Sequence, residues 1–198
     1  ESTIFASLEE ILTELNVQLE RTDLQIQRLN QQIEAATELT VHLLDNRPIE
    51  EEWLASTYWQ SIAARSWQPA NSNYTSLKES GNLYLISNQE LRNELFLYYE
   101  FDEYMFGRIS RSLEALERLK SSSVRDIYRI PQKSGSVEYS TPNFHVVQPI
   151  SEFPRHEDFI GDLSNYGANM QLLVPRVEEL RARNVALQEI LSTELEQR

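Results

Sequence analysis

Residues 8–43 read LEEILTELNVQLERTDLQIQRLNQQIEAATELTVHL, and the spacing within them decides the fold. Leu8, Leu12, Leu15, Leu19, Thr22, Ile26, Leu29, Ile33, Ala36, Thr40 and Leu43 alternate in steps of four and three. A period of 3.5 keeps one stripe of a helix turned toward a partner while the pair winds left-handed. Nine of these eleven positions are apolar and the other two are Thr. Ile11, Leu24 and Leu39 widen the stripe, which favours a bundle with more than one neighbour over a two-stranded coil. The spacing predicts a helix over 3–44, roughly 60 Å long. Asp45-Asn46-Arg47-Pro48 ends it, because Pro cannot continue a helix interior.

Two more seams of the same kind follow. Leu91, Leu95, Tyr98, Asp102, Met105, Ile109, Ser112, Leu116 and Leu119 predict a helix over 88–128, opened by a capping box of Ser87 and Glu90. Phe159, Leu163, Tyr166, Met170, Leu173, Val177, Leu180, Asn184, Leu187 and Leu191 predict another over 156–196. Gly161, Gly167 and Pro175 weaken its first half, and a kink or break is expected near Pro175. Between the first two seams, Pro48 suits the first position of a short helix ending at Arg65, and Glu50, Glu51 and Glu52 suit its positive end. Tyr74 to Ser80 reads as a shorter helix closed by Gly81, where a positive φ is expected. Leu83, Leu85 and Ile86, after Asn82, are expected to dock into the core. In the Pro-containing stretch 131–155, Val137–Tyr139 and Phe144–Val147 have the character of a small hairpin. So long a connection is either functional or a crossover.

The expected fold is therefore all-α. It is an elongated antiparallel, up-and-down bundle of three or four helices with coiled-coil-like seams and one long Pro-containing loop. The 198 residues are read as one helical domain. Its parts are a long helix (1–47), short helices and a turn (48–87), a long helix (88–130), the loop (131–155) and a last long helix (156–198).

Composition narrows the function. A formal charge of -13, with no basic patch, repels nucleic-acid phosphates and anionic lipid head groups. Cysteine is absent, so disulfides, thiolate chemistry and Cys-ligated metals are excluded. His42, His145 and His156 are dispersed, and no Gly-rich phosphate loop or nucleophile elbow appears. No catalytic residue, metal site or cofactor is expected, and the chain does not read as an enzyme. No apolar run approaches the ~20 residues of a membrane span. The first residue is Glu1 and not Met, which fits a piece of a longer chain with a targeting or membrane segment upstream.

The candidate surface for a ligand or partner comprises Trp53, Tyr58, Trp59 and Trp67, crowded around the second helix, together with Asp102 and Asn184. Core and cap packing also accounts for the aromatic residues. Asp102 and Asn184 occupy seam positions where apolar side chains are expected. Local rotation of the helix into water is the simplest account; a hydrogen-bonded polar layer and a ligand cavity are the alternatives. On the first account Asn184→Leu is neutral or stabilising and Asp102→Leu keeps the fold. Gly81, Asn82 and Ser87 are read as a structural turn between helices.

Leu77-Lys78, Ser80-Gly81-Asn82-Leu83, Leu85-Ile86, Asn88, Leu91-Arg92, Leu95 and Tyr98-Tyr99 resemble a family of uncharacterised bacterial envelope proteins. Those proteins have a basic N-terminal stub, one transmembrane helix and a long helical domain. The resemblance covers about an eighth of the chain. It implies an extracytoplasmic, periplasmic domain anchored at the inner membrane, and it carries no activity and no catalytic residue with it. The leading expectation is a protein-interaction or scaffold domain that binds a protein partner or another copy of itself. A second is a sensory input domain that binds a small ligand in the aromatic cluster or the 131–154 loop and signals to the membrane through helix 1. A third is a cytoplasmic coiled-coil adaptor. Neither nucleic acid nor a cofactor is expected as a partner.

Circular dichroism of the purified domain is expected to be dominated by helix, and chelators are expected to leave the thermal transition where it was. A strand-type spectrum, or stoichiometric zinc or iron whose removal unfolds the protein, would overturn this reading.

Overall fold

The scarcity of Gly and Pro in the seams lets the helices run long. In the computed structural model, which describes residues 2–45, 47–48, 50–62, 67–121, 128–129, 145–146 and 157–197, the chain is overwhelmingly helical. The elements are α1 (Ser2–Leu44), α2 (Glu51–Ile62), α3 (Ser72–Glu79), a 3-10 turn (Asn82–Leu85), α4 (Gln89–Ser121), β1 (Tyr128–Arg129), β2 (His145–Val146) and α5 (Glu157–Glu196). All ten seam positions of α5 are buried, as are Leu91, Leu95, Tyr98, Asp102, Met105, Ile109 and Leu116 of α4.

α1 departs from the expected stripe. Leu8, Leu15, Thr22, Leu29, Ala36 and Leu43 are buried as the spacing predicts. The other half of the stripe is displaced by one residue: Ile11, Gln18, Gln25, Gln32 and Leu39 are buried, while Leu12, Leu19, Ile26, Ile33 and Thr40 are only partly covered. Hydropathy pointed to the apolar neighbours. The structure instead buries three glutamines seven residues apart.

The chain gathers into two compact units. Unit 1 comprises Glu1–Arg28, Ser66–Ser110 and Leu173–Arg198. Within it, the Asn184 amide of α5 reaches the Leu15 carbonyl of α1, and Arg181 pairs with Asp23. Asn88 at the start of α4 reaches Glu194, and Tyr98 meets Asn184. In both pairings one sequence rises as the other falls, so α5 opposes both α1 and α4, and those two run parallel. The expected alternation of long helices up and down does not hold for α1 and α4.

The start of α4 is set by Asn88. Its Oδ1 accepts the Leu91 N–H at 3.1 Å, and its carbonyl accepts from the Arg92 N–H. The cap is therefore one residue beyond the expected Ser87. The same amide donates through Nδ2 to Glu194, which ties the cap to α5. Ahead of it, Gly81 has φ +74°, and its N–H donates to the Lys78 carbonyl to close α3. Of the three residues expected to dock, Ile86 is buried, Leu83 is partly covered, and Leu85 is 63% exposed. A 3-10 turn projects successive side chains in three directions, so only part of the run reaches the core.

Unit 2 comprises Leu29–Arg65 and Arg111–Leu172. Ala36, Leu39 and Leu43 of α1, Leu54, Tyr58 and Ile62 of α2, and Phe159, Leu163 and Tyr166 of α5 supply its core. α1 and α5 approach closely: a Cβ at Gly167 would lie 3.5 Å from that of Ala36. α2 begins at Glu51, three residues after Pro48, because the Pro48 carbonyl faces the His42 ring at 2.9 Å and the first helical bond runs from Leu54 N–H to Glu50. β2 lies against α2 and pairs antiparallel with β1, Tyr128 opposite Val146 and Arg129 opposite His145. Tyr128, expected to extend the α4 helix, is thus in a strand. His145–Val146 is a strand as expected, but with this partner; Val137–Tyr139 lies outside the described residues.

α5 passes Pro175 without a break. The carbonyl that Pro leaves unbonded belongs to Gln171, and both residues face solvent, where water replaces the missing N–H.

Gly81→Val is expected to destabilise the protein by about 1–2 kcal/mol, measured by chemical denaturation. A Cβ there meets nothing within 4 Å, so the loss comes from the left-handed backbone and not from a clash. An unchanged midpoint would refute this.

Candidate functional site

The strongest concentration of buried polar chemistry lies in the core of unit 1. Burial of a carboxylate or amide is costly unless hydrogen bonds replace those made to water. Asp102 is 1% exposed and Asn184 is 0% exposed, so neither turns into water as local rotation would require. Both instead find partners. Gln18 Nε2 of α1 donates to Asp102 Oδ1 at 3.1 Å, and Trp67 Nε1 donates to the same oxygen at 3.2 Å. Asn184 Nδ2 lies 3.1 Å from the Leu15 carbonyl and donates to the Tyr98 hydroxyl at 2.8 Å; Gln188 Nε2 donates to Asn184 Oδ1 at 2.7 Å. Thr22 completes the α1 side by donating to the Gln18 carbonyl at 2.7 Å.

A second carboxylate stands beside this layer. Glu14 Oε1 accepts from Ser72 Oγ at 2.6 Å and from the Asn73 N–H at 2.8 Å, which ties the first turn of α3 to α1. Tyr74 of α3 stacks on Tyr99 of α4 with ring centroids 4.1 Å apart, and Tyr99 meets Tyr98 edge-on at 5.1 Å.

Electrostatics follow from burial without a cation. Burial raises the Asp102 carboxyl to about 6, against the partial relief of its bonds from Trp67 and Gln18. The Tyr98 and Tyr99 hydroxyls are pushed up, first by burial and then by neighbouring negative charge: Asp102 for Tyr98, and Glu14 before Asp102 for Tyr99. Asp102 Oδ2, Gln18 Oε1, Glu14 Oε2 and the Tyr99 hydroxyl are buried without a hydrogen-bond partner.

The sequence candidates are divided between the two units. Trp67, Asp102 and Asn184 come together in unit 1. Trp53 and Tyr58 belong to unit 2, where Trp53 Nε1 donates to Glu38 at 3.3 Å, its ring lies 4.2 Å from that of His42, and Tyr58 faces Phe159 at 6.4 Å. The side chain of Trp59 lies outside the described residues, as does all of the 131–154 loop except β2. Of the aromatic residues read together from sequence, Trp67 belongs to unit 1 and the pair Trp53 and Tyr58 to unit 2. Gln18, Tyr98, Tyr99 and Glu14 were missed. The heptad spacing of Gln18, Gln25 and Gln32 was the available signal, hidden beside a more apolar line.

What this arrangement can do chemically is hold a proton and fix helix register. Beside it, a groove of about 460 Å³ runs between α1 and residues 69–73, with Glu10, Thr13, Val17 and Arg21 on the α1 wall. Among the described residues, no group of His, Asp and Glu is arranged to hold a metal, and no helix is long and apolar enough to cross a membrane. No family model, curated protein or solved structure matches the chain.

The polar layer reverses the expected effect of changing Asn184. Asn184→Leu should destabilise by roughly 1–3 kcal/mol in urea denaturation, because the Tyr98 hydroxyl and the Gln188 amide lose their partner. Adding Tyr98→Phe should restore part of that loss. A neutral Asn184→Leu would show that the layer contributes nothing to stability.

Proposed function

We propose that this chain is an extracytoplasmic protein-interaction or scaffold domain of a membrane-anchored bacterial protein, and that the outer face of α4 is its contact surface. The observation that carries the reading is an inversion along that helix. Asp102 is in the core, while Leu97 and Tyr104 are 45% and 48% exposed. Spaced by three and four, Leu97, Phe101 and Tyr104 share one face of the helix. Phe101 is partly roofed by the Arg183 guanidinium, 4.6 Å from the ring centroid. Scattered exposed apolar residues are ordinary, but an aromatic stripe on one helix face suits a partner. Glu90, Glu94 and Glu100 flank it and favour a partner with basic groups around an apolar centre.

The membrane anchor and the periplasmic location rest on the resemblance of the 77–99 segment. The groove beside residues 69–73 favours the second reading, a small-ligand sensory domain, because it joins polar side chains to an apolar wall.

The test uses the full-length protein in its native host. It should fractionate with the inner membrane, and a photo-crosslinker at Leu97 or Tyr104 should give a discrete adduct that a crosslinker at Gln27 does not. Tyr104→Glu should abolish the adduct formed from position 97. Recovery in the soluble cytoplasmic fraction would favour the adaptor reading instead, and identical crosslinking at all three positions would remove the α4 surface from the proposal.

A further inference from the structure

We propose that Asp102 and Gln18 form an acid–amide pair that acts as a proton-operated latch on the segment carrying Trp67. The bond from Gln18 Nε2 to Asp102 Oδ1, 3.1 Å long, sets an amide beside a carboxyl in the unit 1 core. The other oxygen of each group, Gln18 Oε1 and Asp102 Oδ2, is buried without a partner. Two acceptors have nothing to exchange, and an amide oxygen carries no hydrogen. A carboxyl does carry one when protonated. A proton on Asp102 Oδ2, donated to Gln18 Oε1, closes a ring of two hydrogen bonds and satisfies both atoms.

The surroundings favour that proton. Among the described residues, the titratable groups around the pair are Tyr98 and Tyr99 from α4 and, beyond Tyr99, Glu14 from α1 and Tyr74 from α3; α5 presents Asn184, and the 67–71 segment presents Trp67. None is a cation. Burial places the folded-state carboxyl at about 6, above the ordinary 3.8. The folded protein therefore holds this proton more tightly than the unfolded chain. The stability it contributes is complete below about pH 4 and is lost as pH rises through about 6.

Loss of the proton leaves an anion in the core with only the Trp67 and Gln18 N–H groups to meet it. The bond from Oδ2 to Gln18 Oε1 is lost while the Trp67 bond to Oδ1 persists, but an opening of the 67–71 segment now hydrates a buried anion and so costs less. Two residues after Trp67, Pro69 begins the wall of the 460 Å³ groove, and that wall continues to Asn73. Proton occupancy of Asp102 thus sets how firmly one wall of the groove is held. This is independent of the α4 contact surface and stands or falls without it.

Tryptophan- and glutamine-¹⁵N-labelled protein followed by NMR from pH 4.5 to 8 tests the latch, with the Trp67 and Gln18 resonances assigned from Trp67→Phe and Gln18→Leu. The Trp67 indole N–H and the Gln18 side-chain amide should titrate together with a midpoint near 6. Asp102→Asn, which retains an acceptor for Trp67 and supplies an N–H in place of the acid proton, should abolish both titrations. Amide hydrogen exchange in 69–73 should accelerate about tenfold above the midpoint in the wild type, after correction for intrinsic rates, and not in Asp102→Asn. A midpoint below 4.5, a Gln18 amide that does not move with Trp67, or exchange in 69–73 indifferent to pH would each overturn the proposal. The wild-type resonances decide the matter even if a variant fails to fold.

Discussion

The core of unit 1 depends on one buried carboxyl. Among the described residues no cation neutralises Asp102, and its burial is made tolerable by the N–H donors that α1 and the 67–71 segment each bring it. Those bonds dictate register. Gln18 must lie level with Asp102, and Trp67 must return to the same height. A slide of α4 by one turn, about 5.4 Å, would break both contacts, and a slide of α1 would break the first. Apolar packing tolerates such slides far better, because one Leu resembles another. The polar layer therefore selects one alignment among several that the seams alone would permit.

Asn184 extends the same logic to α5. A single amide contacts the Leu15 carbonyl, the Tyr98 hydroxyl and the Gln188 amide, joining all three long helices within unit 1 at one level. Glu14 does the corresponding work for α3, using one carboxylate oxygen for the Ser72 hydroxyl and the Asn73 N–H. Short elements such as α3 have little intrinsic stability, so tethering of this kind determines whether they form. The position of residues 69–73, and with it the groove beside α1, follows from polar contacts on either side of that segment: Trp67 to Asp102 of α4, and Ser72 and Asn73 to Glu14 of α1.

Unit 2 is built differently. Its core is apolar and aromatic, and its close approach of α1 to α5 depends on the small residues Ala36 and Gly167. Among the described residues, the Ser61 hydroxyl buried there donates to the Tyr58 carbonyl, while Gln32 Nε2 and the Tyr166 hydroxyl lack partners. Burial alone pushes the Tyr166 hydroxyl up to about 12. Small side chains bring helix backbones together without specifying register as firmly as a hydrogen bond, which is a physical difference between the two units.

Periodicity in the sequence determined that the chain is helical, where the long helices begin and where α1 and α5 end to within a residue or so, and which faces of α4 and α5 turn inward, but not the end of α4, expected at 128 where Tyr128 is in a strand. Those properties are local: a step of three or four along one chain defines a face whatever it meets. The left-handed backbone at Gly81 was legible for the same reason. The tertiary structure alone decided that Gln18, Gln25 and Gln32 are buried in place of Leu19, Ile26 and Ile33, that Asp102 and Asn184 are core residues, and that Trp67 joins them in unit 1. A polar side chain is stable inside only when a partner distant in sequence supplies its hydrogen bond. Gln18 and Asp102 are 84 residues apart, and Asn184 and Leu15 are 169 apart. No window of sequence contains both members of such a pair, so hydropathy placed these residues in water and the fold placed them in its core.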